Sequence, residues 1–127
     1  MTNTDQLKIE LRPTIPTIVN TLQSSSEETF QNEKLRPIIK LQHDLIISHF
    51  EYNLKQNCVK IDQLNKEQMK ELIVKILKGN GRLQTELRGL VTALFTVEEY
   101  CQYLQSLSPI NRRINNMVQQ RIESNYL

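Results

Sequence analysis

Apolar residues recur along most of the chain at intervals of three and four positions, the spacing of one helical face. No segment shows the period-two alternation typical of strands as clearly as it shows the helical spacing. The periodic segments cover residues 26–34, 36–56, 65–79, 82–95, 97–106 and 109–124. We therefore predict an all-α, single-domain helical bundle of five or six short-linked helices over residues 24–127.

The first 23 residues give a weaker pattern. Pro13 and Pro16 prevent one continuous helix there, because proline lacks the backbone N–H and clashes with the preceding turn. Four apolar residues nevertheless share one helical face: Ile15, Ile18, Val19 and Leu22. The pattern leaves two alternatives for residues 1–23, an extended arm or a short helix over 16–23, packed in either case on the body of the domain.

Capping boxes mark where the helices begin, since a side chain at the cap and another three residues later satisfy the first free N–H groups. The pairs with this spacing are Ser24 and Glu27, or Ser25 and Glu28, then Asn65 and Gln68, then Thr96 and Glu99. Pro37 interrupts the helical pattern. It predicts a short helix followed by a longer one over 36–56, or one helix kinked at Pro37.

Two glycines carry structural expectations. Gly79 follows an apolar periodic segment with lysines in its last turn, so we expect it to take the left-handed cap conformation. Gly89 lies inside a predicted helix, which favours close packing of another helix against it. The stretch Gly79-Asn80-Gly81 is interpreted as a helix–helix turn, because the phosphate-loop pattern and its preceding strand are both absent.

The buried faces follow from the same spacing. The helix over 97–106 carries Tyr100, Cys101 and Leu104, and we expect Cys101 to be a buried structural thiol. Cys58 lies between two predicted helices and is expected to be an ordinary loop thiol. The last helix is expected to begin at Ser108-Pro109 and to bury a stripe made of Ile110, Ile114, Met117, Val118 and Ile122.

Composition and charge narrow the class of protein. The formal net charge is only +2, which argues against a dedicated nucleic-acid binder, because such proteins concentrate basic residues. No stretch approaches the roughly 18 apolar residues of a membrane span. The N-terminal sequence lacks the basic start and apolar run of a secretory signal. We therefore expect a cytoplasmic protein with reduced thiols.

No pattern in the sequence indicates a catalytic, cofactor, metal or small-molecule site. His43 and His49 are six positions apart and so cannot share a face of one helix as metal ligands. Glu98 and Glu99 are adjacent, which suits a helix cap rather than acid–base catalysis across a cleft. An enzyme would need side chains that converge from different helices, with Cys101 meeting His43 or His49 as the example the sequence offers, and we rank that hypothesis last.

The leading hypothesis is a non-enzymatic protein–protein interaction or regulatory module, with self-association included. It rests on aromatic residues that cannot all face one core. The candidate interaction surface comprises Phe50, Tyr52, Tyr103, Arg112, Arg113 and Arg121. The alternative hypothesis is a nucleic-acid-associated protein that uses Lys75, Lys78, Arg82, Arg88, Arg112, Arg113 and Arg121.

Three segments carry a resemblance to known sequences. They are FQNEKLRPIIKLQHDLI (30–46), LRGLVTALFTVEEY (87–100) and NRRI (111–114). The chain resembles, over about residues 26–124, a family of small uncharacterised bacterial proteins of the Bacteroidetes type. Some members carry the label "glyoxalase", which this sequence does not support, because glyoxalases of the metal-chelating type use strand-borne metal ligands. The resemblance implies no site residue.

Overall fold

The structure is a computed structural model that describes residues 2–15 and 25–127. The helices are α1 (Asn3–Leu11), α2 (Ser26–Phe30), a π-helical turn (Gln31–Leu35), α3 (Arg36–Leu41), α4 (His43–Gln56), α5 (Lys66–Gly79), α6 (Gly81–Thr92), α7 (Val97–Gln105) and α8 (Leu107–Tyr126). The pieces from α2 to α3 are continuous, so the described residues form seven separate helical segments and no strand. The all-α prediction is confirmed, although the helices outnumber the five or six expected.

Side-chain caps fix several helix starts. In α5 the Asn65 side chain accepts from the Gln68 N–H, and the Gln68 side chain accepts from the Asn65 N–H, so this predicted capping box is confirmed. At α2 the Ser25 hydroxyl accepts from the Glu28 N–H. These bonds satisfy donors that would otherwise lack a partner in the first helical turn.

Pro37 lies inside continuous helix rather than at a break. The π-helical turn immediately before it widens the backbone, and the Arg36 N–H bonds the Gln31 carbonyl oxygen five residues back. The wider turn accommodates a residue that has no N–H and whose ring would crowd an α-helical carbonyl. The helix ends instead at Gln42, whose side-chain amide donates to the Leu90 carbonyl oxygen at 2.8 Å.

The core forms where α8 meets α4, α5 and α6. The long helix α8 buries one residue per turn, and this part of its predicted stripe is confirmed: Ile110, Ile114, Val118 and Ile122. The facing helices supply Phe50, Ile73, Leu87 and Val91, each at most 2% exposed. Removing this apolar surface from water drives the helices together, since no single helix can bury its own stripe.

Both glycine predictions are wrong. No described glycine has a positive φ, and Gly79 is itself the last helical residue of α5. The Asn80 side chain caps the next helix by accepting from the Leu83 N–H at 3.0 Å, so a left-handed turn is not needed. Gly89 is exposed, and a Cβ atom there would meet nothing within 4 Å. The one described non-glycine residue with a positive φ is Cys58, at 53°.

The helix α1 lies where the sequence predicted no helix. Thr2 caps it by accepting from the Asp5 N–H at 3.0 Å. It ends at Leu11 because Arg12 precedes a proline and takes an extended conformation. The short helix predicted over 16–23 falls on residues outside the described part of the chain, and the extended arm predicted as its alternative over 1–23 is wrong at Asn3–Leu11, which are helical. None of the described helices has the length and apolar content needed to cross a membrane.

Candidate functional site

The helix α7 exposes its apolar face. Val97, Tyr100 and Leu104 are 64%, 46% and 51% exposed, and Cys101 is exposed beside them. These four residues follow the i, i+3, i+4, i+7 spacing, so they lie on one side of the helix. We call them the α7 stripe. In a helix of a monomeric protein this pattern normally faces the core, and its exposure makes the stripe the foremost candidate site.

The stripe overturns the sequence interpretation of α7. The face carrying Tyr100, Cys101 and Leu104 was expected to be buried, and Cys101 was expected to be a structural core thiol. The buried residues are instead Glu99 and Tyr103. The Tyr103 ring packs edge-on against Phe95, with ring centroids 5.5 Å apart. The core therefore uses the opposite side of α7, which has fewer apolar residues.

An ion pair explains why the face of α7 that carries Glu99 is turned towards the core. Arg12 donates to both Glu99 carboxylate oxygens, at 2.6 and 2.7 Å, and to the Leu94 carbonyl oxygen at 2.9 Å. The Lys34 ammonium lies 3.6 Å from the same carboxylate. The Glu99 and Arg12 side chains are only 5% and 9% exposed. A charge this well buried needs its partners, so the pair holds this face of α7 inward.

The pKa of Glu99 reports the same balance. Burial acts to raise this pKa, but the hydrogen bonds from Arg12 and from the Thr96 N–H, with the positive charges of Arg12 and Lys34, outweigh it and hold it below its ordinary value. Glu99 also completes the predicted capping box with Thr96, which is confirmed at 2.8 and 3.2 Å. One carboxylate thus caps α7 and anchors it.

Two further bonds attach α1 to the start of α7. The Lys8 ammonium donates to the Phe95 carbonyl oxygen at 3.0 Å, and the Val97 N–H donates to an Asp5 carboxylate oxygen at 3.3 Å. Sequence reasoning missed these contacts. Asp5 and Lys8 share one face of α1 and Arg12 directly follows the helix, but nothing in the sequence pairs these residues with others more than 80 positions away.

The predicted interaction surface does not form one patch. Phe50 and Tyr103 lie in the core, at 0% and 8% exposed, so they offer no surface. Tyr52 is 58% exposed on α4 and stacks on His49. On α8, Arg113 donates to the Gln31 side chain at 2.7 Å, Arg112 is exposed and Arg121 is half-buried. The error came from treating every aromatic residue outside the main stripes as exposed.

Both histidines lie on α4, six positions apart. His49 on α4 bonds Glu86 on α6, with 3.0 Å between Nε2 and Oε1. That hydrogen bond is the largest cause that lowers the pKa of Glu86; desolvation opposes it, and the charges of His49 and Arg82 lower the pKa further. No three histidine, cysteine or acidic residues in the described ranges lie together as a metal site would require. Cys58 and Cys101 are both free and exposed.

A second feature is a cleft of about 170 Å³ between α5, α6 and α8. Lys78, Arg88 and Arg112 line it, and we call it the cationic cleft. It contains three of the seven basic residues that the alternative hypothesis named. Two of the remaining four lie outside the cleft and contact other side chains: Arg82 is 3.4 Å from Glu86, and Arg113 bonds Gln31.

No family model, curated protein or solved structure matches the chain. The resemblance to small bacterial proteins therefore stays a prediction.

Proposed function

We propose that the protein acts through protein–protein contact rather than catalysis, and that the α7 stripe is its docking surface. The observation that carries the proposal is the exposure of an amphipathic helix's apolar face, with Val97 at 64% and Leu104 at 51%. Leaving such a face in water costs the free energy that burial would return, at about 25 cal/mol for each Å² of apolar surface. A partner that covers the stripe removes this apolar surface from water and gains that free energy.

The size of the stripe favours a particular kind of partner. A standard interface between two globular proteins uses roughly 20–30 residues on each side, far more than the four residues of the stripe. Recognition through one helical face instead fits a partner that supplies a groove or a single amphipathic helix. We therefore infer a partner segment with apolar side chains at helical spacing, not a second globular copy of this chain.

Charge adds a constraint on the partner. The exposed charged residue on α7 is Glu98, and α7 has no basic residue. The other carboxylate, Glu99, is already neutralised by Arg12. A partner segment therefore fits best when it places a lysine or arginine opposite Glu98 and carries no carboxylate there. We place the contact in the cytoplasm, supported by two exposed cysteines that remain free.

The test compares two leucines of nearly equal exposure. Leu104 in the stripe is 51% exposed, and Leu45 on α4 is 54% exposed. Tagged wild type, L104Q and L45Q are used for affinity capture from lysate of the native cells, with and without nuclease treatment, and the captured proteins are read by quantitative mass spectrometry. We expect proteins captured by wild type and L45Q to be depleted at least tenfold with L104Q. A captured partner should then bind the purified protein directly through an apolar helical segment.

Three results would overturn the proposal: equal capture by L104Q and L45Q, no captured protein, or capture that disappears with nuclease. The last result would favour the alternative, a nucleic-acid-associated protein. Light scattering of the purified chain tests whether the stripe binds a second copy of the chain. A wild-type dimer that L104Q converts to a monomer would show that a second copy occupies the stripe. Both leucines are exposed, so either change should alter stability by less than about 0.5 kcal/mol.

A further inference from the structure

The cationic cleft lies apart from the α7 stripe and presents a different chemistry. Its floor is apolar and buried, made of Leu77, Leu87 and Val118 at 4%, 2% and 3% exposed. Its rim carries Lys78, Arg88 and Arg112. Among the residues that the structure describes, no carboxylate lines the cleft, and none lies within 4 Å of these three cations.

This lack of a counter-charge distinguishes the three cations of the cleft from Arg12 and Arg82. Arg12 bonds the Glu99 carboxylate, and Arg82 lies beside Glu86. Arg88 is held instead by neutral acceptors, with one guanidinium nitrogen 3.3 Å from the Asn115 side-chain oxygen and another 3.2 Å from the Thr85 hydroxyl. The bond to Asn115 links α6 to α8, and the two bonds together fix the guanidinium group without neutralising it.

We propose that the cationic cleft binds a phosphate group carried by a small molecule. Three cations around one concavity repel each other until an anion enters, and the apolar floor strengthens each attraction by lowering the local dielectric. Arginine donates two parallel hydrogen bonds to phosphate oxygens, which makes phosphate a better match than a single halide ion. A cleft of about 170 Å³ admits a small group and not a length of duplex.

The same chemistry occurs in nucleic-acid backbones, so the experiment separates the two sources. Pyrophosphate and a single-stranded twelve-nucleotide oligonucleotide are titrated separately into the full chain, at one ionic strength, by calorimetry and amide-resolved NMR. We expect saturable pyrophosphate binding with shifts at residues around the cleft. The oligonucleotide should bind more weakly and be displaced by pyrophosphate.

The variants R88Q and R112Q each remove one cation from the rim. Lys75→Gln is the matched control, because Lys75 is an exposed residue of α5 that does not line the cleft and the charge change is the same. We expect each arginine variant to weaken pyrophosphate binding about tenfold or more, as loss of a charge-assisted hydrogen bond implies, and K75Q to change it less than twofold. Arg112 is exposed, so R112Q remains informative if R88Q disturbs the fold.

Three outcomes would overturn the inference. The first is the absence of saturable pyrophosphate binding. All three variants could weaken binding equally, which would reveal a general response to net charge. Alternatively, the oligonucleotide could bind more tightly than pyrophosphate and lose affinity in R112Q, with a steep dependence on salt. That last outcome would assign the cleft to nucleic acid. A failure here leaves the α7 proposal unaffected, because L104Q and L45Q lie outside the cleft.

Discussion

Replacing Glu99 by glutamine tests whether the Arg12–Glu99 pair holds α7 in its observed orientation. Glutamine keeps the side-chain length and can still accept from the Thr96 N–H, so the capping box survives and only the charge is lost. Arg12, 9% exposed, then has no full counter-charge. Removing one partner of a buried ion pair typically costs 3–5 kcal/mol. We expect about 3 kcal/mol, because Arg12 keeps its bond to the Leu94 carbonyl oxygen.

The assay is urea unfolding followed by circular dichroism, with the free energy of unfolding taken by linear extrapolation. Glu98→Gln is the control, because Glu98 is the exposed neighbour in the same helical turn and loses the same charge. We expect E98Q to lie within about 0.5 kcal/mol of wild type. The double variant R12Q/E99Q should lose less than the sum of the two single losses, because the residues contact each other.

The pH dependence follows from the direction of the Glu99 shift. The pKa of Glu99 is lower in the folded chain than its ordinary value of 4.5, so ionised Glu99 stabilises the fold at pH values above 4.5. This contribution is lost as the pH falls through the folded pKa. Wild type should therefore lose its stability advantage over E99Q on acidification. Equal stability of E99Q and E98Q at pH 7, or an advantage that persists in acid, would refute the reasoning.

Two further predictions concern single residues. Burial, helped by the charge of Glu51 and the hydrogen bond to it, raises the pKa of Tyr126 to about 12. Absorbance titration should therefore show one late-titrating tyrosine, and this signal should be absent in Y126F. Any stability that the neutral phenol provides should be complete below pH 10 and lost as the pH rises through 12. Cys58 has φ at 53°, a conformation that costs a non-glycine residue roughly 1 kcal/mol. C58G should therefore raise the midpoint of urea unfolding, whereas C101G, which lies inside α7, should lower it. A lower midpoint for C58G would show that the backbone at Cys58 is not strained.

The sequence predicted those parts of the fold that depend on local chemistry. Asn65 with Gln68 and Thr96 with Glu99 form their capping boxes because each pair is three positions apart and needs no distant partner. The buried stripe of α8 was predictable for the same reason. The helix α1 was not, because apart from its Thr2 cap it lacks an apolar core face, and its described attachments are polar bonds made by Asp5, Lys8 and Arg12.

The α7 stripe shows where the local sequence pattern is not enough to predict the structure. Periodicity identifies the apolar side of a helix but does not say what covers it, and in α7 the apolar side was assigned to the core. Orientation was decided by Glu99, whose carboxylate is buried against Arg12 at 2.6 Å and could not be left unpaired. Turning Glu99 and Tyr103 inward forces Val97, Tyr100 and Leu104 outward. The exposed stripe is thus a consequence of a buried charge pair. It follows that weakening this pair by E99Q should loosen the α7 stripe as well as the fold.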